Sequence, residues 1–179
     1  KKEAIKAFLE HKKGILQMAT GTGKTSTALE IARQLILRGE ISKIIVSPGV
    51  NTQLSEQWVY EVYDWLEDSN LRDMTYVFQH FDKKRESMEF LDSNPNKKAI
   101  IIASRTKDIL SFLLRESDPE TTLIIQDEVH GFGAQGLLEL KDMHKRFKFT
   151  LGLSATPSRG YDEEGTKFIK DEIGDVIYE

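Results

Sequence analysis

Six short apolar, β-branched runs punctuate the chain, around residues 14–18, 42–47, 74–78, 98–103, 121–126 and 147–153. Between them, near 2–12, 24–38, 52–66, 83–91, 105–115 and 134–141, apolar residues recur every three or four positions. Continuous apolar runs of that length predict strands buried on both faces, and the longer period predicts amphipathic helices. Their alternation predicts an α/β fold, a parallel sheet covered by helices on both sides. Leu29, Ala32, Leu35 and Ile36 form the core stripe expected of the second helix. The helical spacing of Trp58, Tyr63 and Trp65 predicts packing in or half in the core, in preference to stacking on bases. Residues 92–98 (Asp-Ser-Asn-Pro-Asn-Lys-Lys) and 117–120 (Ser-Asp-Pro-Glu) read as loops. Internal repeats, low-complexity tracts and dividing linkers are absent, so residues 1–179 are expected to form one domain.

The first apolar run leads into Met18-Ala-Thr-Gly-Thr-Gly-Lys-Thr25, and a helical run follows from Ser26. Strand, glycine-rich loop and helix are the context of a phosphate-binding loop. Gly21 and Gly23 let successive N–H groups of Ala19, Thr20, Thr22 and the helix start at Lys24, Thr25 and Ser26 turn toward a polyphosphate. Lys24 would reach the outer phosphates and the Thr25 hydroxyl a magnesium ion. The strict pattern places glycine where this chain has Met18. Taken alone, the segment could also be a Gly/Thr-rich turn that caps a helix.

The fifth apolar run ends in Asp127-Glu128-Val129-His130. Carboxylates at the carboxyl end of a buried strand, paired with a phosphate loop upstream, suit nucleotide hydrolysis. Asp127 would hold the metal and Glu128 would accept the proton of the attacking water. After the sixth run comes Ser154-Ala-Thr156-Pro157, two hydroxyls closed by a proline.

In this order the three elements resemble motifs I, II and III of the superfamily 2 helicases and translocases. Ile45-Val-Ser-Pro-Gly-Val-Asn-Thr-Gln-Leu-Ser-Glu-Gln-Trp58 is similar to motif Ia, and Ile101-Ile-Ala-Ser-Arg-Thr106 loosely to motif Ib. Leu151 to Arg159, then Asp162, Gly165-Thr166 and Gly174 to Glu179, resemble the branch of restriction-enzyme motor subunits and excision-repair helicases. The resemblance spans Ala4 to Glu179 and implies a three-layer RecA-like P-loop NTPase domain, with ATP and Mg²⁺ as ligands. It implies nucleic acid as partner, DNA favoured over RNA, with nuclease or methyltransferase modules elsewhere in a longer parent. His130 would relay nucleotide state toward Ser154 and Thr156, which would act in coupling. Pro48, Gly49 and Arg105 would be candidates for a nucleic-acid backbone, with a surface helix-start role the alternative for Arg105. The start at Lys1 and the end after the third motif lead to the expectation of a fragment. Its adenine-reading segment and second RecA-like domain would lie outside these residues, leaving it nearly inactive alone.

Composition changes this picture little. Charged residues make up 30% of the chain and hydrophobic ones 39%, with a net charge of −4, so overall positive charge is no basis for nucleic-acid binding. The basic clusters at 83–85, 97–98 and 145–146 read as solvated faces. Without cysteine there are no disulfides and no Cys-based zinc sites, and the four histidines lack metal-ligand spacing. No secretory signal or spanning segment is evident, which fits a cytoplasmic or nucleoid-associated protein. Two other classes remain open: a nucleotide-binding switch without motor action, and a small-molecule kinase that uses the phosphate loop.

Overall fold

The computed structural model describes all residues except 50, 72–74, 81–83, 93–96, 134 and 158–159. Residues 93–96 of the loop expected over 92–98, Lys83 of the first basic cluster, Val50 of the motif Ia segment and Ser158-Arg159 of the last motif lie outside the described residues.

Chain order runs α1 (Lys2–His11), β1 (Lys13–Gln17), α2 (Lys24–Leu37), β2 (Lys43–Ser47), α3 (Thr52–Ser69), β3 (Thr75–His80) and α4 (Lys84–Asp92). It continues β4 (Lys98–Ala103), α5 (Lys107–Glu116), β5 (Thr122–Gln126), β6 (Phe149–Ser154), α6 (Glu163–Ile173) and β7 (Val176–Tyr178). The strands form one sheet in the order β3-β4-β2-β5-β6-β1-β7, and every registered pair is parallel. Parallel pairing sends all carboxyl ends to the same edge, so the loops after β1, β2, β4, β5 and β6 share that edge. The crevice outside those ends is where open parallel sheets bind ligands.

Alternation along the strands divides the core in two. Ile44, Val46, Leu123, Ile125, Leu151 and Leu153 pack with α1, α2 and α3 on one face. Ile45, Ile101 and Ile124 point to the other, where Phe90, Leu113 and Leu114 of α4 and α5 cover them. Burial on both faces is why these strands read as unbroken apolar runs. Leu29, Ala32, Leu35 and Ile36 are all buried in the first cluster, as their spacing predicts.

Three elements depart from the sequence reading. The helix expected at 134–141 is a tight 3-10 turn over Gln135–Leu140, which follows another over Val129–Gly133. Glycines at 131, 133 and 136 weaken a regular helix there, since each loses the most backbone freedom on ordering. Helix α6, taken above only as motif residues, starts where the Asp162 carboxylate accepts the Gly165 N–H at 2.8 Å. It buries Phe168, Ile169 and Ile173 against Val129 and Phe132. Strand β7 is three residues long, too short for a periodic signal, and depends on close backbone approach. A Cβ at Gly14 would lie 2.7 Å from Ile177, and one at Gly174 only 3.0 Å from the Gly14 backbone.

Candidate functional site

The loop between β1 and α2 is shaped by two left-handed glycines, Gly21 at φ 79° and Gly23 at φ 87°. Non-glycine residues resist this conformation because Cβ crowds the backbone. The Thr22 N–H and hydroxyl both donate to the Ala19 carbonyl, at 3.2 and 2.6 Å, and close the turn. Gly23 occupies the N-cap of α2 without a side-chain cap, and no acid lies in the first turn. That helix end is therefore neither capped nor balanced by an acid of its own first turn, and its first-turn amides are left for an anion. Met18, in place of the pattern's glycine, is buried in the main core, and its N–H donates to the Ser154 carbonyl at 3.0 Å. The departure falls on a packing position at the strand end, outside the turn that needs positive φ.

The carboxylates stand opposite. Asp127 leaves β5 with its N–H donating to the Ser47 carbonyl of β2 at 3.0 Å. Its Oδ1 accepts the Glu128 N–H at 2.8 Å, and its Oδ2 accepts the indole N–H of Trp58 at 2.8 Å. Burial pushes the Asp127 carboxyl above the usual range, the two hydrogen bonds pull it back, and the neighbouring Glu128 charge adds to the rise. Glu128 has φ 45°, a left-handed conformation that costs a non-glycine residue about 1–3 kcal/mol. That backbone turn sends its carboxylate toward Lys24, whose Nζ donates to Oε1 at 2.9 Å. Only 11% of the Lys24 side chain is exposed, so the pair is shielded from water on the lysine side.

Between the two loops lies a cavity of ≈ 310 Å³ lined by Thr20, Gly21, Gly23, Lys24, Thr25, Ser26, Asp127 and Glu128, with Leu54, Gln57, Trp58 and Glu61 from α3. The residues present suit a magnesium–polyphosphate. An uncapped helix N-terminus and an ammonium face the cavity from one side. From the other, each Asp127 oxygen accepts a single hydrogen bond and keeps lone pairs for a hard cation. Thr25 sits in the first turn of α2 beside this space.

A polar chain leads away from the cavity. His130 Nδ1 lies 3.4 Å from Glu128 Oε2 and 3.2 Å from Ser154 Oγ. Ser154 Oγ in turn accepts the Thr156 N–H at 3.1 Å. Ser154 is buried and Thr156 exposed, so the chain runs from the cavity wall to the surface.

Three residues are not where the sequence reading expects them. Arg105 is 5% exposed, and its guanidinium donates to the carbonyls of Ser47, Asp127 and Glu128. It is neither an outward phosphate contact nor a surface helix start, because the helix begins at Lys107 and the arginine turns in behind the carboxylate loop. Pro48 and Gly49 are also buried, and Gly49 offers its carbonyl to the Arg105 N–H at 3.4 Å. Trp58 is buried as expected, but its indole is aimed at Asp127. Gln57, Trp58 and Glu61 are cavity residues that helical spacing alone assigns to packing or to solvent. The signal for them was the Gln-Trp pair within the motif Ia resemblance. Tyr63 is 48% exposed, and Trp65 packs in part against the core. Lys145 and Arg146 are engaged locally, with Asp142 and with the carbonyls of Leu114 and Arg115.

Comparison with known proteins places the fold and the family. Residues 1–159 match the ResIII family, "Type III restriction enzyme, res subunit". The chain is 26% identical to the DNA 3'-5' translocase XPB2 of Sulfurisphaera tokodaii over 98% of its own length and 34% of that protein's, so it spans about a third of this relative. Among solved structures it resembles the Hef helicase domain of Pyrococcus furiosus, with a TM-score of 0.66 at 20% identity over 99% of this chain and 36% of that one. The nuclease-deletion mutant of the Type ISP restriction-modification enzyme LlaGI gives 0.64 at 21% identity, covering 99% of this chain and 18% of that one. The UvsW helicase of bacteriophage T4 gives 0.61 at 15% identity, covering 97% and 58%. The structural likenesses show a RecA-like helicase fold, and the sequence match shows that the chain belongs to the ResIII family of superfamily 2 helicases.

Proposed function

We propose that this chain is an ATP-binding motor domain that couples ATP hydrolysis to movement along nucleic acid, with duplex DNA as the track. The observation that carries the reading is the Lys24–Glu128 pair across one cavity, with Asp127 beside it. ATP with Mg²⁺ would take that space, the metal supplying charge neutralisation at the phosphates. Lys24 would leave Glu128 for the phosphates, and Glu128, freed, would take the proton of the attacking water. Residues 19–26 would hold the phosphates through backbone N–H groups, and Thr25 and Asp127 the metal. His130, Ser154 and Thr156 would carry the change toward a second RecA-like domain of the same parent chain. That domain would add an arginine finger worth about 10³–10⁵ in rate, and this chain alone would turn over little.

DNA is favoured because the matched relative is described as a DNA translocase and LlaGI was solved with a DNA substrate mimic, and the duplex form rests on the resemblance to the restriction and excision-repair branch. Restriction and repair settings both fit, with nuclease or methyltransferase modules as partners in the first. The test is Mg²⁺-dependent ATP turnover by the full-length protein with no polymer, single-stranded DNA, duplex DNA or RNA. Stimulation by duplex DNA that Glu128→Gln reduces by about 10²–10⁴ supports the motor reading. Tight nucleotide binding with no response to any polymer would establish a nucleotide-dependent switch in its place. Phosphoryl transfer to a small metabolite would establish a kinase.

A further inference from the structure

A buried arginine that makes no carboxylate salt bridge among the described residues needs a structural reason. Arg105 is 5% exposed and leaves the end of β4 in the loop that precedes α5. Its guanidinium donates Nη1 to the Glu128 carbonyl at 3.1 Å, and Nη2 to the Ser47 carbonyl at 3.1 Å and to the Asp127 carbonyl. These carbonyls belong to the ends of β2 and β5, so one side chain joins three strand ends behind the cavity. Two of the three flank the Glu128 peptide, where φ is 45°. Burial lowers the guanidinium to about 10 against the pull of the Asp127 and Glu128 charges, so it stays protonated at neutral pH. A planar fork with fixed donor directions can hold carbonyls at set angles, which a lysine ammonium cannot.

We propose that Arg105 is a positioning residue that holds Glu128 in its left-handed conformation and so aims the carboxylate into the cavity. The inference rests on the function proposed above, in which Glu128 acts on the attacking water. Arg105 touches no ligand-facing atom, so its loss should misplace the base while leaving the phosphate loop intact. A second handle comes from Gly131, where an added Cβ would lie 3.1 Å from Arg105 Nη1. Because that nitrogen is pinned to a carbonyl, Gly131→Ala displaces the fork without removing a charge.

The experiment compares the full-length wild type with Arg105→Met, Arg105→Lys and Gly131→Ala. Equilibrium binding of a non-hydrolysed ATP analogue gives Kd and the fraction of competent sites. Steady-state turnover with duplex DNA gives kcat per competent site. The expected result is Kd within about threefold of wild type for all variants. Turnover should fall about 10²-fold in Arg105→Met, the scale of an ångström-sized misplacement. Arg105→Lys should fail to rescue, and Gly131→Ala should lose about tenfold. Unchanged kcat per competent site in Arg105→Met would overturn the proposal, as would equal losses in affinity and turnover. If Arg105→Met does not fold, Gly131→Ala decides by the same criteria. A wild type that binds nucleotide but hydrolyses none overturns the motor reading itself, and this inference with it. A wild type that turns over beside variants that match it overturns this inference alone.

Discussion

The loops on the two sides of the cavity follow strands of one sheet, yet they are held in opposite ways. The carboxylate loop after β5 is clamped from without: Trp58 on the Asp127 side chain, Arg105 on the Asp127 and Glu128 carbonyls, and Ser47 on the Asp127 N–H. The phosphate loop after β1 holds itself, through the Thr22–Ala19 turn and two left-handed glycines, and much of it is exposed. Each arrangement suits the chemistry proposed for it. An anion cradle works through backbone N–H groups, which must stay unpaired and reachable. A base and a metal ligand work through side-chain direction, which only packing and outer hydrogen bonds can fix. Substitutions outside the carboxylate loop should therefore damage it, while damage to the phosphate loop should come from within.

The sharpest break is Trp58→Phe, which keeps the buried ring and removes the donor to Asp127 Oδ2. In the full-length protein, the Mg²⁺ needed for half-maximal turnover should rise about 10–100-fold. The Trp58 hydrogen bond lowers the Asp127 carboxyl, so its loss raises that group further. The acid limb of kcat/KM against pH should then move to higher pH. An unshifted limb with an unchanged Mg²⁺ requirement would leave the indole as core packing only.

A weaker effect is expected at Gly21→Ala. An added Cβ there meets nothing within 4 Å, so the whole effect comes from φ 79°. Forcing alanine into that conformation costs about 1–2 kcal/mol, which should weaken nucleotide binding about tenfold. Thermal melting should drop by only about 2–8 °C. A much larger loss of stability would mean that the loop is braced from outside after all.

The effect that is smallest at neutral pH lies behind the carboxylate loop. His144 is fully buried, its Nε2 lies 3.1 Å from Gln126 Nε2, and burial together with the nearby Arg105 charge lowers it to about 3. The unfolded chain then binds a proton between about pH 6.5 and 3 that the folded one does not, so the stability contribution is lost as pH falls through that window. His144→Asn should flatten the acid limb of denaturant-derived stability by up to about 1.4 kcal/mol per pH unit. Equal slopes in the two proteins would refute the assignment.

The parallel sheet was legible because strands buried on both faces need apolar residues at every position, as in Ile44-Ile45-Val46 and Leu123-Ile124-Ile125. The turn proposed to hold phosphate was legible as a turn because left-handed conformations select glycine, and the chain writes Gly21 and Gly23 at that spacing. The two carboxylates were legible because they end an apolar run. Helix α6 was less legible although Asp162 marks its start, because its Phe168, Ile169 and Ile173 stripe is set among charged residues. The roles of Arg105 and Trp58 were not legible. Each acts on atoms at least 22 residues away in sequence, and their local context suits a surface loop or a core stripe equally well.

By itself, the sequence determined what is local: strand and helix periods, the conformations only glycine tolerates, and the residue types suited to phosphate and metal. Tertiary structure decided which way the side chains at strand ends turn. There the backbone leaves regular geometry, and direction is set by partners from other strands: Ser47 from β2, Arg105 from beyond β4, Trp58 from α3. Such partners meet only after the sheet has assembled, and no period within a single segment encodes them.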